Sequence, residues 1–231
     1  MSKRNLNQIP LQLPAETSRS REDFILGSCN ALAADWIDRW PDWPGKIKGL
    51  VIHGPPASGK SHLAAIWMEM TGGVMISRLD QTVLDRLGPE ASLVLDNFMP
   101  SDDWPPDLLF HLLNRFISGQ GSVLVLARQP VAEQSWQLAD ITSRLALLNS
   151  VAIQPPDDET LAAVLQKLAD DRGLVLDADV VRHCLARMER SFAAARQLAD
   201  LLNMESLARK QRVTTALARE VLDHHYQSRL L

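Results

Sequence analysis

The sequence predicts an α/β domain built on a parallel five-stranded sheet flanked by helices, followed by a small all-α domain. Short apolar runs alternate with helix-type stretches between Asp23 and residue 154. Each run is apolar throughout, as strands buried on both faces must be. The alternation calls for parallel strands joined by helical crossovers. After Pro155-Pro156 the strand pattern stops and only helical periodicity continues.

Residues 1–22 are polar, carry Pro10 and Pro14, and predict a flexible tail. The segment that follows places Trp36 and Trp40 at helical spacing, as expected of a helix covering the sheet. Gly49-Leu50-Val51-Ile52-His53 is the first strand, with a helix over 60–71 behind it. The next strands are Val74–Ser77, Leu93–Asp96, Val123–Leu126 and Val151–Ile153, with helices expected at 79–87, 106–118 and 133–148. Beyond residue 155, Asp157-Asp158-Glu159 puts acids where a helix starts, which suits the macrodipole. Leu161, Val164, Leu165 and Leu168 then repeat at helical spacing. Three further helices are marked by Val180, Val181, Cys184, Leu185 and Met188, by Phe192, Ala195, Leu198, Ala199 and Leu202, and by Leu217, Val221 and Leu222. The division is therefore a tail over 1–22, an α/β domain over 23–154 and a helical domain over 155–231.

The composition is that of a soluble globular protein: 231 residues, 46% hydrophobic and 23% charged. No apolar run reaches membrane-spanning length and the polar start is no signal peptide, so a cytoplasmic protein is expected. A net charge of −4 argues against a large DNA-binding surface of the chain's own, so DNA contact is expected only indirectly, through partners. Cys29 and Cys184 lie far apart without metal-type spacing and read as reduced structural thiols. The six tryptophans read as packing residues, and the scattered histidines predict no transition-metal site.

Chemistry enters with Gly54-Pro55-Pro56-Ala57-Ser58-Gly59-Lys60-Ser61, which fits G-x-x-x-x-G-K-[ST] without substitution. It lies between a strand and a helix that opens with His62, the context in which a glycine loop cradles phosphate. Lys60 is expected to reach the β- and γ-phosphates and Ser61 to place its hydroxyl on Mg²⁺. Leu93-Val94-Leu95-Asp96 is an apolar strand ending in a carboxylate, the Walker B form, so Asp96 is a second Mg²⁺ candidate. Asn97 follows, where a hydrolytic P-loop enzyme usually carries a second acid that orients water; an amide cannot take that proton. Ala127 ends the fourth strand, where a small polar residue would suit a γ-phosphate sensor. Weak or no intrinsic ATPase is the expectation.

A P-loop α/β domain followed by a helical lid is the layout of AAA+ proteins, with ADP or ATP and Mg²⁺ as ligands. Within that group the chain resembles the DnaA family, and more closely its Hda/HdaA subgroup. Asp23-Phe24-Ile25-Leu26-Gly27-x-x-Asn30 is similar to the family segment that packs on the adenine. Phe110-His111-x-x-Asn114 resembles the helix before sensor I, and Leu138-Ala139-Asp140-Ile141-Thr142-Ser143-Arg144-Leu145 resembles box VII. Glu189-Arg190-Ser191-Phe192 is similar to the sensor II segment, and Arg209-x-x-Arg212-Val213-Thr214 to the end of the lid. DnaA continues into a helix-turn-helix domain, which this sequence lacks up to Leu231, so the Hda type is expected.

The resemblance implies that Arg144 is an arginine finger acting in trans. The residues alone leave it equally open to pairing with Asp140, one helical turn away. It implies that Arg190 reads the nucleotide from the lid, with Arg196 as the competing candidate and a surface pair of Arg190 with Glu189 or Glu205 as the other reading. Gln8-Ile9-Pro10-Leu11-Gln12-Leu13 is similar to the peptide with which Hda-type proteins dock on the sliding clamp. Gln8 would fix register, while Ile9, Leu11 and Leu13 anchor in an apolar groove. Taken alone, the stretch reads as a proline-containing disordered tail. The implied partners are the DNA polymerase sliding clamp and DnaA, and the implied role is promoting hydrolysis of DnaA-bound ATP, hence restraint of replication initiation. A self-contained P-loop ATPase such as a helicase loader is the rival reading. The sequence is compatible with a monomer or a homodimer.

Overall fold

The computed structural model describes residues 20–45 and 47–227. Strands β1 (Gly49–His53), β2 (Val74–Ile76), β3 (Ser92–Leu95), β4 (Ser122–Ala127) and β5 (Asn149–Ala152) form one parallel sheet in the order β2-β3-β4-β1-β5. The alternation of side chains along each strand divides the core in two. Leu50, Ile52, Val94, Leu124 and Leu126 face one layer, shared with α1 (Ala31–Asp38) and α2 (Lys60–Thr71). Val51, Leu93, Leu95, Val123 and Val125 face the other, shared with α4 (Pro106–Ile117) and α5 (Ala139–Leu145). A short α3 (Gln81–Arg86) is capped by Asp80, whose carboxylate accepts the Val83 N–H at 2.9 Å. Adjacent β3, β4 and β1 bring three carboxyl ends together, the place where open α/β sheets bind ligands.

One expected helix is not continuous. Instead of a helix over 133–148 there is a 3₁₀ turn at Val131–Glu133, an irregular stretch, and then the seven-residue α5. The cause is tertiary. The Trp136 indole donates to the Val131 carbonyl at 2.8 Å, and its ring lies 4.9 Å from Phe98. Trp136 thus folds back on the core where helical geometry would carry the chain forward. The other tryptophans also pack: Trp43 stacks on Trp67 at 6.0 Å, and Trp104 meets Phe98 edge-on. Trp40 lies beyond the end of α1 and closes on Trp43 at 4.8 Å.

The C-terminal region has its own core, centred on Leu161, Leu165, Cys184, Ala195, Leu202 and Leu217. It is built from α6 (Asp158–Asp170), α7 (Ala178–Leu185), α8 (Phe192–Arg209) and α9 (Thr215–Gln227). Side chains that accept orphan amides start three of these helices, among them α9, where Thr214 takes the Leu217 N–H at 3.3 Å. Asp157 takes the Thr160 N–H at 2.7 Å, and Ser191 takes the Ala194 N–H at 3.1 Å.

A wedge at residues 23–30 joins this lid to the sheet. Asn30, 3% exposed, staples the wedge by accepting from the Gly27 N–H and donating to the Ile25 carbonyl, each at 2.9 Å. The Ser28 hydroxyl donates to Asp157 at 2.7 Å, and the Gln154 N–H donates to the Cys29 carbonyl at 2.9 Å. The Thr160 hydroxyl and N–H and the Ser28 hydroxyl hold the Asp157 carboxyl down at about 2. Phe192 of α8 reaches across into the cluster that holds Phe24.

At Gly27 a Cβ would come 2.0 Å from Thr160 Oγ1 and 2.9 Å from its Cβ. Thr160 is buried and stiff at χ1, so it cannot swing aside. Gly27→Ala is expected to cost about 1–3 kcal/mol in chemical denaturation, as overpacking does. Adding Thr160→Ala should recover part of that loss.

Candidate functional site

The loop between β1 and α2 is wrapped by its neighbours. The Gly54 N–H donates to the Ala127 carbonyl at 3.2 Å, tying the loop to the end of β4. A Cβ at Gly54 would meet the Ile153 carbonyl oxygen at 2.6 Å. Gly59 has φ +91°, and a Cβ there would lie 2.9 Å from the Phe24 ring. Ala57 also sits in the left-handed region, at φ 60°. This backbone leaves the N–H groups of Ala57 to Ser61 without a protein acceptor among the described residues, as an anion cradle requires.

Lys60 turns back into that cradle. Its Nζ donates to the Gly54 carbonyl at 2.8 Å, the Pro55 carbonyl at 2.7 Å and Ser58 Oγ at 3.3 Å. None of these partners carries charge. Burial lowers the ammonium's pKa; Asp96 works against that shift, while the Arg128 guanidinium adds to it. A half-buried cation with neutral partners and a second cation nearby suits phosphate oxygens. The residues therefore fit the nucleotide expected from the sequence. The loop amides and Lys60 would hold phosphate, and the Ser61 hydroxyl with Asp96 would hold Mg²⁺.

Asp96 stands at the end of β3, with one carboxylate oxygen accepting the Asn97 N–H at 2.8 Å. Asn97 is exposed and left-handed at φ 51°, a conformation that Asn tolerates better than most side chains. Ala127 is 2% exposed and presents only a methyl group. Phe24 and His62 close the loop's other side, with ring centroids 5.2 Å apart, and Ile25 lies beside them half-buried.

Arg144 lies on α5 and is held by α4 rather than by the phosphate loop. Its Nε donates to Asn114 Oδ1 at 2.7 Å, and its guanidinium lies 4.1 Å from the Phe110 ring centre. One further nitrogen donates to the Asp140 carbonyl at 3.0 Å, while the Asp140 carboxylate is 3.8 Å away. The surface pair with Asp140 is present, but the closer restraints are Asn114 and Phe110. Arg190 precedes α8 and donates to Asp158 at 3.0 Å, with its side chain 70% exposed. Its carboxylate partner is thus on α6, and Arg196 lies exposed on α8. Gln8, Ile9, Leu11 and Leu13 lie outside the described residues.

Sequence reasoning overlooked Arg128 as a neighbour of Lys60 and Asn114 as the brace of Arg144. Both depend on long-range placement. Pairing of His53 with Ala127 puts residue 128 beside the loop, and the packing of α4 on α5 brings position 114 to position 144. Among the described residues no helix is long and apolar enough to cross a membrane.

Residues 157–222, covering α6 to α8 and part of α9, match the family described as Hda, lid domain. The fold matches domain III of the Thermotoga maritima replication initiation protein DnaA. The TM-score is 0.71 at 17% identity, over 92% of this chain and 98% of that one. The Thermotoga maritima RuvB Holliday junction branch migration motor matches with a TM-score of 0.69 at 15% identity, over 89% of this chain and 72% of that one. A structure of the replication initiator DnaA bound to AMPPCP and single-stranded DNA matches at 0.58 and 18% identity, over 82% of this chain and 66% of that one. The helical lid thus carries the match to the Hda lid-domain family, and the chain as a whole shares its fold with domain III of DnaA and with RuvB.

Proposed function

We propose that this chain is a nucleotide-binding regulator that acts with the DNA-loaded sliding clamp. It promotes hydrolysis of DnaA-bound ATP and so restrains initiation of replication. The observation that carries this reading is the setting of Arg144. Its guanidinium is restrained by Asn114 and Phe110 on the α4–α5 face, and none of its partners belongs to this chain's own phosphate loop. A guanidinium restrained in this way loses little freedom when it meets the γ-phosphate of a second protein. A finger supplied in trans is worth ~10³–10⁵ in rate. Asn97 and Ala127 point the same way, since neither side chain can activate water or withdraw a proton at the chain's own site. The Hda lid supports placing this chemistry in replication.

The phosphate loop then serves as a switch rather than an engine. ADP or ATP held by Lys60 and the loop amides lies where the wedge and lid meet the sheet, and would fix the lid against the domain that carries Arg144. Residues 8–13 would bring the domain to the clamp, and DNA would be met through the clamp and DnaA. A net charge of −4 agrees with that indirect contact.

Two outcomes test this account. Arg144→Ala should leave nucleotide binding and clamp binding within about twofold of wild type, while the clamp-dependent loss of ATP from DnaA falls by ~10³-fold. Gln8→Ala combined with Leu11→Ala should abolish clamp binding and stimulated hydrolysis together. A protein that hydrolyses its own ATP at full rate regardless of DnaA and the tail would instead be a self-contained ATPase. Lys60→Ala removes the half-buried cation and should weaken ADP binding by at least ~10-fold in a fluorescent-nucleotide titration.

A further inference from the structure

Ser20–Phe24 forms a strap over the first turn of α2, tied to α2, to α1 and to the lid. The Ser20 carbonyl accepts from His62 Nε2 at 2.8 Å and from the Asp23 N–H at 3.3 Å. A carbonyl only accepts, so the bond places the proton on Nε2 of His62. The Ser20 hydroxyl donates to Asp23 at 2.8 Å, and Arg21 makes a two-pronged bond to Asp38 of α1 at 3.0 and 2.7 Å. Asp23 meets Lys167 of lid helix α6 at 3.1 Å. Phe24 closes the strap, packed against Gly59 of the phosphate loop and edge-on to His62.

We propose that His62 is a positioning residue that couples occupancy of the phosphate loop to the hold on this strap, and through it to the origin of the N-terminal segment. His62 lies two residues after Lys60, on the turn whose amides face the phosphate site. Ligand bound there fixes that turn and the Phe24 ring; His62 on the turn holds Ser20, and Phe24 ends the same strap. Lys167 adds the lid's position to the same strap. Coupling of this kind is reciprocal: whatever factor nucleotide contributes to holding the strap, the strap contributes to holding nucleotide.

The consequence is geometric. Ser20 lies seven residues after Leu13, so a held strap limits the reach of that point to ~25 Å of extended chain. Releasing Ser20–Phe24 adds five residues, or ~18 Å, and dilutes any partner tethered through the tail. This inference rests on the reading that the loop binds nucleotide, and it does not require the clamp.

Trypsin cleavage of the full chain after Arg21, followed by mass spectrometry with and without saturating ADP, tests it. ADP binding is measured separately. In wild type, ADP should slow cleavage at Arg21 by ~10-fold and leave cleavage at Arg4 unchanged. His62→Ala should reduce that protection below about twofold, and His62→Gln, whose amide keeps a donor near the Nε2 position, should restore most of it. Lys167→Met should weaken it independently from the lid side. ADP binding without protection in wild type would overturn the coupling alone, as would full protection in His62→Ala or a His62→Gln variant no better than His62→Ala. Failure of wild type to bind ADP would overturn the nucleotide reading itself.

Discussion

Thr160 leaves no space for a side chain at position 27, and around that contact the two domains are joined. The wedge it seats, residues 23–30, touches the phosphate loop through Phe24, the chain leaving β5 through Cys29 and the lid through Ser28. Without that close approach Asp157 would lose the Ser28 hydroxyl, and Phe192 would leave the cluster around Phe24. The phosphate loop, the lid and the start of α1 therefore meet around one small-residue contact. Apolar burial within each domain supplies the bulk stability, while this joint sets how the domains sit relative to each other.

Charge placement divides the labour between binding and catalysis. Lys60 is half-buried among neutral acceptors with a second cation in electrostatic range, an arrangement that favours an incoming polyanion. The residues flanking that site supply no second acid and no polar sensor, since Asn97 and Ala127 stand in those places. The guanidinium suited to transition-state charge stands apart, on α5, braced by α4. The phosphate loop and Arg144 thus lie at two separate places on one chain.

Much of this was legible in the sequence for a physical reason. All-apolar strands announce a doubly covered sheet, and Gly54–Ser61 is legible because its conformational demands are local. The lid helices showed through their spacing and through the acids at Asp157 and Asp158. Position 133–148 misled because Trp136 and Val131 are apolar for packing, not for helix periodicity. Arg144 was visible as a candidate, but its partner Asn114 lies 30 residues away and meets it only when α4 packs on α5. Arg190 shows the same limit. Its carboxylate partner in the fold, Asp158, is 32 residues distant, beyond any helical-spacing argument.

In the proposed function the nucleotide consumed belongs to DnaA and not to this chain. The direct measurement is to saturate this protein with ADP, load DnaA with γ-labelled ATP, and follow phosphate release on clamp-loaded DNA. Full stimulated release with ADP in this protein is the predicted result. Release that appears only when this protein carries hydrolysable ATP would contradict the account and assign the chemistry to its own phosphate loop.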